Sequence, residues 1–376
     1  YDGFCDDPYV LATDNIDYLP IAKAVGQGAP TQITTCTQIT QPGEYVLAND
    51  IIDSSASKCI DIQANDVILD CQGHTIDGVI GNIYTYGIYV YRPISTTTNI
   101  TIKNCVLSEW TNGIYLYNSN YNTLTNITAN YNSYGFWIDY SDFNIITGIV
   151  VNYNTYGLWL YSLNSILTNI TANSNGFGLY LSNSRYNILT NITANSNYYG
   201  LYLFVDSNFN TIKDSKFQDN NYGIYLDGAQ SNLVYNNIFN QTTNIAFSGY
   251  NYWNTTKQPG INIWNESLGY IGGNLWTNPS GTGYSDTCKD TDYDGFCDDP
   301  YVLTTDNIDY LPIAKAVGQG APTPTPTPTQ ITTCTQITQP GEYYLANDLD
   351  ARSNTYPFCI DIRTDNVVID CNNYKI

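Results

Sequence analysis

The sequence contains no methionine and one histidine, His74. Soft-metal binding and imidazole acid–base chemistry therefore have few groups to work with. Cations are scarce as well: 13 Lys and Arg stand against 34 Asp and Glu, a formal net charge of −21. That balance argues against a nucleic-acid partner, because phosphates are bound by clustered cations. An acidic surface instead suits cation binding or solubility. No apolar run reaches the roughly 18 residues of a membrane helix, and no signal peptide is recognisable. No Cys-x-x-Cys pair occurs, which argues against zinc. Helix signals are almost missing, while Thr, Ile, Leu, Tyr and Gly are abundant.

What is present is a long self-match. Residues 1–30 and 293–322 differ only at Ala12 against Thr304, an offset of 292 residues. The match continues from "TQITTCTQITQPGEYVLAND" to "TQITTCTQITQPGEYYLAND", and Cys5, Cys36, Cys59 and Cys71 recur as Cys297, Cys334, Cys359 and Cys371. A fixed-offset repeat of this length means that whole domains recur. The chain reads as a window cut from a longer tandem array. One period contains six cysteines: Cys36, Cys59, Cys71, Cys105, Cys288 and Cys297. An even set predicts disulfides and an oxidising, extracellular setting; reduced core thiols are the plainer alternative. Spacing predicts the pairs Cys36–Cys59, Cys71–Cys105 and Cys288–Cys297, with Cys334–Cys359 repeating the first and Cys5 and Cys371 left without partners in this window.

A finer repeat lies inside the period. "GIYVY", "GIYLY", "GFWID", "GLWLY", "GLYLS", "GLYLF" and "GIYLD" begin at Gly87, Gly113, Gly135, Gly157, Gly178, Gly200 and Gly223, at spacings of 26, 22, 22, 21, 22 and 23. Each is a short alternating strand after a Gly, and second strands such as "TLTNIT" and "NILTNIT" lie between them. A period near 22 with two or three strands per turn predicts a parallel β-helix. Alternation turns pairs such as Ile114/Leu116 and Leu158/Leu160 inward as aliphatic columns. Asn122, Asn144, Asn187, Asn210 and Asn232 share one register, to which Asn99 is also assigned, and predict an amide ladder at a bend. The glycines are expected to supply tight bends.

The residue between each inward pair points outward. It is Tyr89, Tyr115, Trp137, Trp159, Tyr180, Tyr202 and Tyr225, which at roughly 4.8 Å per coil predicts an exposed aromatic stripe about 30 Å long. Three readings stay open: a self-stacking ladder, a lateral contact between copies, and a platform for glycans.

The order of parts in "ITTCTQITQPGEYVLANDI…CIDIQANDVILDCQGHTIDG", "GIYLY…NTLTNITAN" and "GGNLW…DTDYDGFCDDPYVL…DNIDYLP" resembles archaeal cell-surface proteins of the right-handed parallel β-helix repeat superfamily. That superfamily includes pectate-lyase-like folds and the periplasmic nitrous-oxide-reductase accessory family. The resemblance implies right-handed coils and an extracellular, cell-surface location, and it implies no single activity. Copper handling, suggested by the accessory family, lacks ligands here. Polysaccharide cleavage needs a positioned acid and base. The outward Asp139 and Asp227 fall four rungs apart, and Lys213 and Lys216 beside Asp214 read as surface charge, so the chain is read as no enzyme.

"DTDYDGFCDD" places carboxylates at Asp290, Asp292 and Asp294, Gly295 at the sixth position, then Phe296, Asp298 and Asp299. Alternate carboxylates around a Gly turn suit Ca²⁺, with Phe296 giving its carbonyl. The loop resembles the D-x-D-x-D-G-x-x-D loops of thrombospondin-like and dockerin-like repeats. It departs from an EF-hand at Tyr301, where the bidentate Glu would stand. Asp299, Asp306 and Asp309 are candidates to complete it from downstream, and a solvated acidic turn is the alternative. In the first copy only Asp2, Asp6 and Asp7 remain. "APTPTPTPTQ" follows as a semi-rigid spacer. Sequons begin at Asn99, Asn126, Asn169, Asn191, Asn240, Asn254 and Asn265. Asn169 and Asn191 fall one coil apart, so Asn240, Asn254 and Asn265 are the favoured glycan acceptors.

These readings combine into an all-β chain. Residues 1–30 end a preceding calcium-loop linker, 31–248 form a parallel β-helix, and 249–285 form an irregular cap. Residues 286–330 hold the calcium loop and spacer, and 331–376 begin the next β-helix. The predicted function is an extracellular filament or stalk whose modules associate with one another, with a glycan-binding adhesin as the alternative.

Overall fold

The computed structural model describes residues 9–12, 15–17, 29–92, 95–315, 329–338, 341–349, 359–363, 367–371 and 374–375. The chain divides into two compact units, Tyr1–Ala316 and Val317–Ile376. Cys5, the acidic residues Asp2, Asp6 and Asp7, and the Thr-Pro spacer lie outside the described residues.

The first unit is a parallel β-solenoid. Successive coils add one or two strands to a 15-stranded sheet and one to a 10-stranded sheet. The first sheet includes Thr123–Asn130, Ile145–Asn152, Ile166–Asn173 and Ile188–Asn195. The second holds the Gly-led strands, among them Asn112–Tyr117, Tyr134–Asp139, Tyr156–Tyr161, Phe177–Ser182 and Tyr199–Phe204. Pairing between coils is parallel and in register, with Ile114, Phe136, Leu158, Leu179, Leu201 and Ile224 one above another. These side chains and their partners two residues on are buried to 1% or less. Each such Ile or Leu stabilises by about 1.5–3 kcal/mol, whereas strand propensity spans about 1 kcal/mol. The columns, more than propensity, hold the coils.

The Gly column works differently from the expected tight bend. A Cβ on Gly135 would stand 2.5 Å from the Gly157 carbonyl oxygen, and one on Gly157 equally close to that of Gly178. The adjoining coil's backbone occupies the space a side chain needs. The bends proper are made by residues with positive φ, stacked in columns. One column runs Asn104 (56°), Asn126 (53°), Gly148 (65°), Asn169 (56°) and Asn191 (53°). Others carry Tyr121, Phe143, Tyr186 and Phe209, or Tyr131 and Tyr153. Left-handed backbone is unfavourable for an aromatic residue. Stacking offsets it: ring centroids lie 5.0 Å apart for Tyr121–Phe143, 5.1 Å for Tyr131–Tyr153 and 5.2 Å for Tyr186–Phe209.

Two long buried amide columns run along the axis, and a third, shorter one lies at the C-terminal end. In the expected one, Asn122 N and Nδ2 both donate to Asn144 Oδ1 (2.8 and 3.0 Å), and Asn187 and Asn210 repeat the pattern. Ser165 substitutes for Asn on one rung, where its Oγ accepts from Asn144 N. Asn99 is not in this column. Ile100 holds that register, its N donating to Asn122 Oδ1, and Asn99 sits one residue earlier, exposed at the bend and bonded to Asp66. The second column, Asn132, Asn154, Asn175, Asn197 and Asn220, is absent from the sequence-based expectations. Its signal was an Asn three residues before each column Gly from Gly135 to Gly223.

At the C-terminal end Trp253 and Trp276 are buried. The antiparallel hairpin Tyr301–Thr304 and Asn307–Asp309 completes the cap. Residues 286–315, expected as linker, thus contribute to the same compact unit as the coils. The hairpin's earlier copy, Tyr9–Ala12 with Asn15–Asp17, pairs in the same register.

The second unit restarts the design. Thr329–Ile331 pairs with Gly341–Leu345 in the register of Thr31–Ile33 with Gly43–Leu47, around a core of Ile331, Ile337, Leu345 and Leu349.

Candidate functional site

The seven predicted stripe aromatics stand in one register, Tyr89 through Tyr225. They are less open than expected: six are half-buried and Tyr180 is only 9% exposed. The cause is two flanking columns. Tyr86, Tyr134, Tyr156, Phe177, Tyr199 and Tyr222 line one side, and Tyr91, Tyr117, Tyr161 and Phe204 the other. Rings cover one another's faces: Trp137–Trp159 at 5.6 Å, Trp159–Tyr180 at 4.6 Å, Tyr134–Tyr156 at 4.9 Å and Tyr156–Phe177 at 4.6 Å. Lys58 Nζ closes the N-terminal end of the stripe, 3.7 Å from the Tyr89 ring centre. Burial pushes the Tyr89 and Tyr180 phenols up to about 12, helped at Tyr89 by Tyr86 and Asp61 and at Tyr180 by Tyr156 and Asp227.

Two carboxylates border it. Burial raises the Asp139 carboxyl above its usual range. Asp227 accepts the Tyr202 hydroxyl proton at 3.1 Å. Four rungs separate them, about 19 Å at the spacing of parallel coils, against roughly 5–10 Å for a glycosidase pair. Lys213 pairs with its neighbour Asp214 at 3.5 Å.

The acidic loop is partly gathered. One oxygen from each of Asp290, Asp292 and Asp294 lies within 4.8 Å of the others. The Asp290 carboxylate accepts Asp294 N and Gly295 N, both at 3.1 Å, with Gly295 at φ 86°. Burial, and then the charges of Asp294 and Asp292, push the Asp290 carboxyl up; the two N–H groups oppose this. Lys257 Nζ neutralises part of the cluster, 2.6 Å from Asp294 Oδ2. Asp298 and Asp299 stay outside the cluster. Asp298 Oδ1 accepts Thr291 N, and the Asp299 carbonyl accepts the Tyr284 hydroxyl. Phe296 is buried, its N donating to Asp294 Oδ1 at 2.9 Å.

Asp309 does not complete this loop. It is fully buried at the end of a third amide column, where Asn237 N donates to Asn274 Oδ1 and Asn274 N to Asp309 Oδ2 (2.8 Å). Trp276 Nε1 donates to the same oxygen at 2.8 Å and Leu311 N to the other at 3.0 Å. Burial pushes its carboxyl up to about 7 against these four donor contacts, the fourth being Asn274 Nδ2. Its neighbour Asn307 ends the first column by accepting Asn251 N at 2.8 Å and Trp253 Nε1 at 3.0 Å.

Four disulfides join Cys36–Cys59, Cys71–Cys105, Cys288–Cys297 and Cys334–Cys359, and Cys371 is an exposed free thiol. Of the favoured glycan acceptors, Asn240 keeps its Oδ1 buried without a partner. Asn254 is held at both ends, by Thr255 O and Tyr310 N. Asn265 caps a short 3₁₀ turn, accepting both the N and the hydroxyl of Ser267.

The coils from residue 31 to 281 match the family described as "Periplasmic copper-binding protein (NosD)", over 31–167 and 72–281. The chain belongs to the NosD family. This membership places it in the right-handed parallel β-helix superfamily. No curated protein matches the sequence. Among solved structures it is similar to the A-module of Azotobacter vinelandii mannuronan C-5 epimerase AlgE4. Identity is 16%, covering 53% of this chain and 67% of that one, with a TM-score of 0.40. It is also similar to tailspike protein 2 of an Escherichia coli O157:H7 bacteriophage, at 16% identity over 64% of this chain and 41% of that one, with a TM-score of 0.41. Likeness of this degree speaks to neither activity nor substrate.

The residues here do not fit the copper of the NosD family's description. Copper is held by imidazole, thiolate or thioether. The single imidazole, His74, bonds Asp50 through Nδ1 at 3.0 Å, eight of the ten cysteines are joined in disulfides, and methionine is absent. The one acidic triad among the described residues is an oxygen-donor set, suited to hard cations. The family's periplasmic label and the disulfides together support an extracellular or periplasmic location.

Proposed function

We propose that this chain is a section of an extracellular structural protein, a surface filament or stalk built from tandem β-helix modules. The observation that carries this reading is the restart. After the cap, the same strands, registers and disulfide recur in a second unit. An enzyme needs one site, whereas a spacer gains length with every copy. The aromatic face favours the same reading over the adhesin. A sugar platform needs free ring faces, and here neighbouring rings cover them. The separation of Asp139 from Asp227 supports a non-catalytic role.

In this proposal Ca²⁺ sits at Asp290, Asp292 and Asp294, with the Phe296 carbonyl, Asp298 and Asp299 drawn in on binding. Clustered carboxylates repel unless a cation lies between them. The ion would order the loop against the cap and stiffen the joint. Electron microscopy of native cell surfaces tests the whole reading: filaments with a repeating module are expected, and a monomeric secreted form would refute it. For the metal, Asp292→Ala with Asp294→Ala should abolish calcium uptake measured by calorimetry and leave the β-sheet circular dichroism intact. Calcium uptake equal to the parent's would place the ion elsewhere.

A further inference from the structure

The seven sequons are not equivalent once folded. Asn99 Nδ2 donates to Asp66 Oδ1 at 2.7 Å, Asn126 Nδ2 to Asn104 Oδ1 at 3.4 Å, and Asn191 Nδ2 to Asn169 Oδ1 at 2.7 Å. Asn254 Nδ2 is likewise engaged, and Asn240 is partly buried. Asn169 is different. Its side chain is exposed, its Oδ1 is engaged, and its Nδ2 donates to no group among the described residues.

The reason is a gap in the column. In the exposed bend column Nδ2 of one rung donates to the rung before it, as in Asn126 to Asn104 and Asn191 to Asn169. The rung before Asn169 is Gly148, which has no side chain and turns the bend at φ 65°. The Asn169 nitrogen therefore faces a bare rung. A sugar ring is wider than the roughly 4.8 Å between coils, so glycans on both Asn169 and Asn191 would collide. A missing side chain beside one of them supplies the room. The sequon reads Asn169-Ile170-Thr171, with Ile170 buried beneath it and Thr171 turned outward.

We propose that Asn169 carries an N-linked glycan on the first sheet's outer face, and that Gly148 is the feature that admits it. This rests on the extracellular reading. The donor class is a glycan on a polyprenyl phosphate or diphosphate. The amide nitrogen attacks the anomeric carbon, the carbon–nitrogen bond forms and the anomeric carbon–oxygen bond to phosphate breaks. The nitrogen's proton leaves to the transferase base, and nothing is oxidised or reduced.

Glycopeptide mapping of the native full-length protein tests it, alongside protease shaving of intact cells. Asn265, whose Nδ2 is also without a partner among the described residues, serves as the internal comparison. Glycan on Asn169 with Asn191 bare is the expected result. A bare Asn169 beside an occupied Asn191 or Asn265 overturns the proposal and leaves the extracellular reading standing. A protein not reached by shaving, and without glycan, overturns both. Gly148→Asn supplies the missing acceptor at a bend that Asn tolerates, once the Asn126 side chain, whose Oδ1 stands 2.7 Å from where the new Cβ would be, turns aside. It should lower Asn169 occupancy severalfold relative to Asn265, and an unchanged ratio would refute the role given to Gly148.

Discussion

At the scale of single residues, Asp309 is the most exacting position. Its folded carboxyl titrates near 7, above the ordinary value of 3.8, because it is fully buried. The folded state then binds a proton more tightly than the unfolded chain. Its contribution to stability is present in full below about pH 4 and is lost as pH rises through about 7. Asp309→Asn keeps an acceptor for Asn274 and Trp276 and removes the titration. The stability difference between variant and parent, from denaturant unfolding, should therefore grow in the variant's favour between pH 4 and 8. A difference independent of pH would show that the hydrogen bonds keep Asp309 ionised throughout. The aromatic residues are more forgiving. Trp137→Ser with Trp159→Ser removes two half-buried rings from the outer face. It should cost about 1–2 kcal/mol for each in area and ring contacts and leave the β-sheet circular dichroism unchanged. Loss of the fold would mean that the outer carpet, rather than the aliphatic columns, carries the module.

At the scale of elements, the amide columns decide. Asn154 Oδ1 accepts both donors of Asn132, and its own Nδ2 reaches Ala129 O and Asn175 Oδ1. Asn154→Ala leaves Asn132 N buried and unpaired, a loss of about 1–3 kcal/mol per stranded group. Asn126→Gly, in the exposed column, keeps a residue that tolerates the left-handed bend and should cost less than about 1 kcal/mol, because water replaces the partner. Equal unfolding midpoints for the two variants would contradict the burial argument. The sequence shows much of this architecture. The period near 22, the inward pairs and the aromatic register all follow from alternation, which is a local property of a strand. The second amide column was written as plainly as the first, in Asn-x-x-Gly, but its residues lie in turns, where no alternation marks the inward direction. The half-burial of the stripe was hidden for another reason. It depends on rings from three columns meeting across coils, and sequence spacing alone does not report how far a neighbour's ring extends. Asn307 and Asp309, in a stretch that reads as acidic linker, end two amide columns only because the chain doubles back onto the coils.

At the scale of the whole molecule, the disulfides sit at chosen places. Cys36–Cys59 and Cys71–Cys105 lie in the opening coils and Cys288–Cys297 beside the cap, while the coils from residue 106 to 287 have none. The ends of a solenoid lack one neighbour and fray first. Closing a loop of 23 residues is worth about 3 kcal/mol. Reduction should therefore raise hydrogen exchange in residues 31–105 and 286–315 while residues 130–230 keep their protection. Uniform loss across the unit would show that the coils open as a single body. The amide columns carry a further consequence, because the buried N–H groups of each coil are met by oxygen atoms on the following coil. Each coil laid down is incomplete until its successor arrives. A chain emerging from its N-terminus thus always presents a hungry edge, one that recruits the next turn and tolerates no early stop. Growth from the N-terminus is therefore the expected order of assembly, and Asn307 and Asp309 answer the last donors of two of the columns.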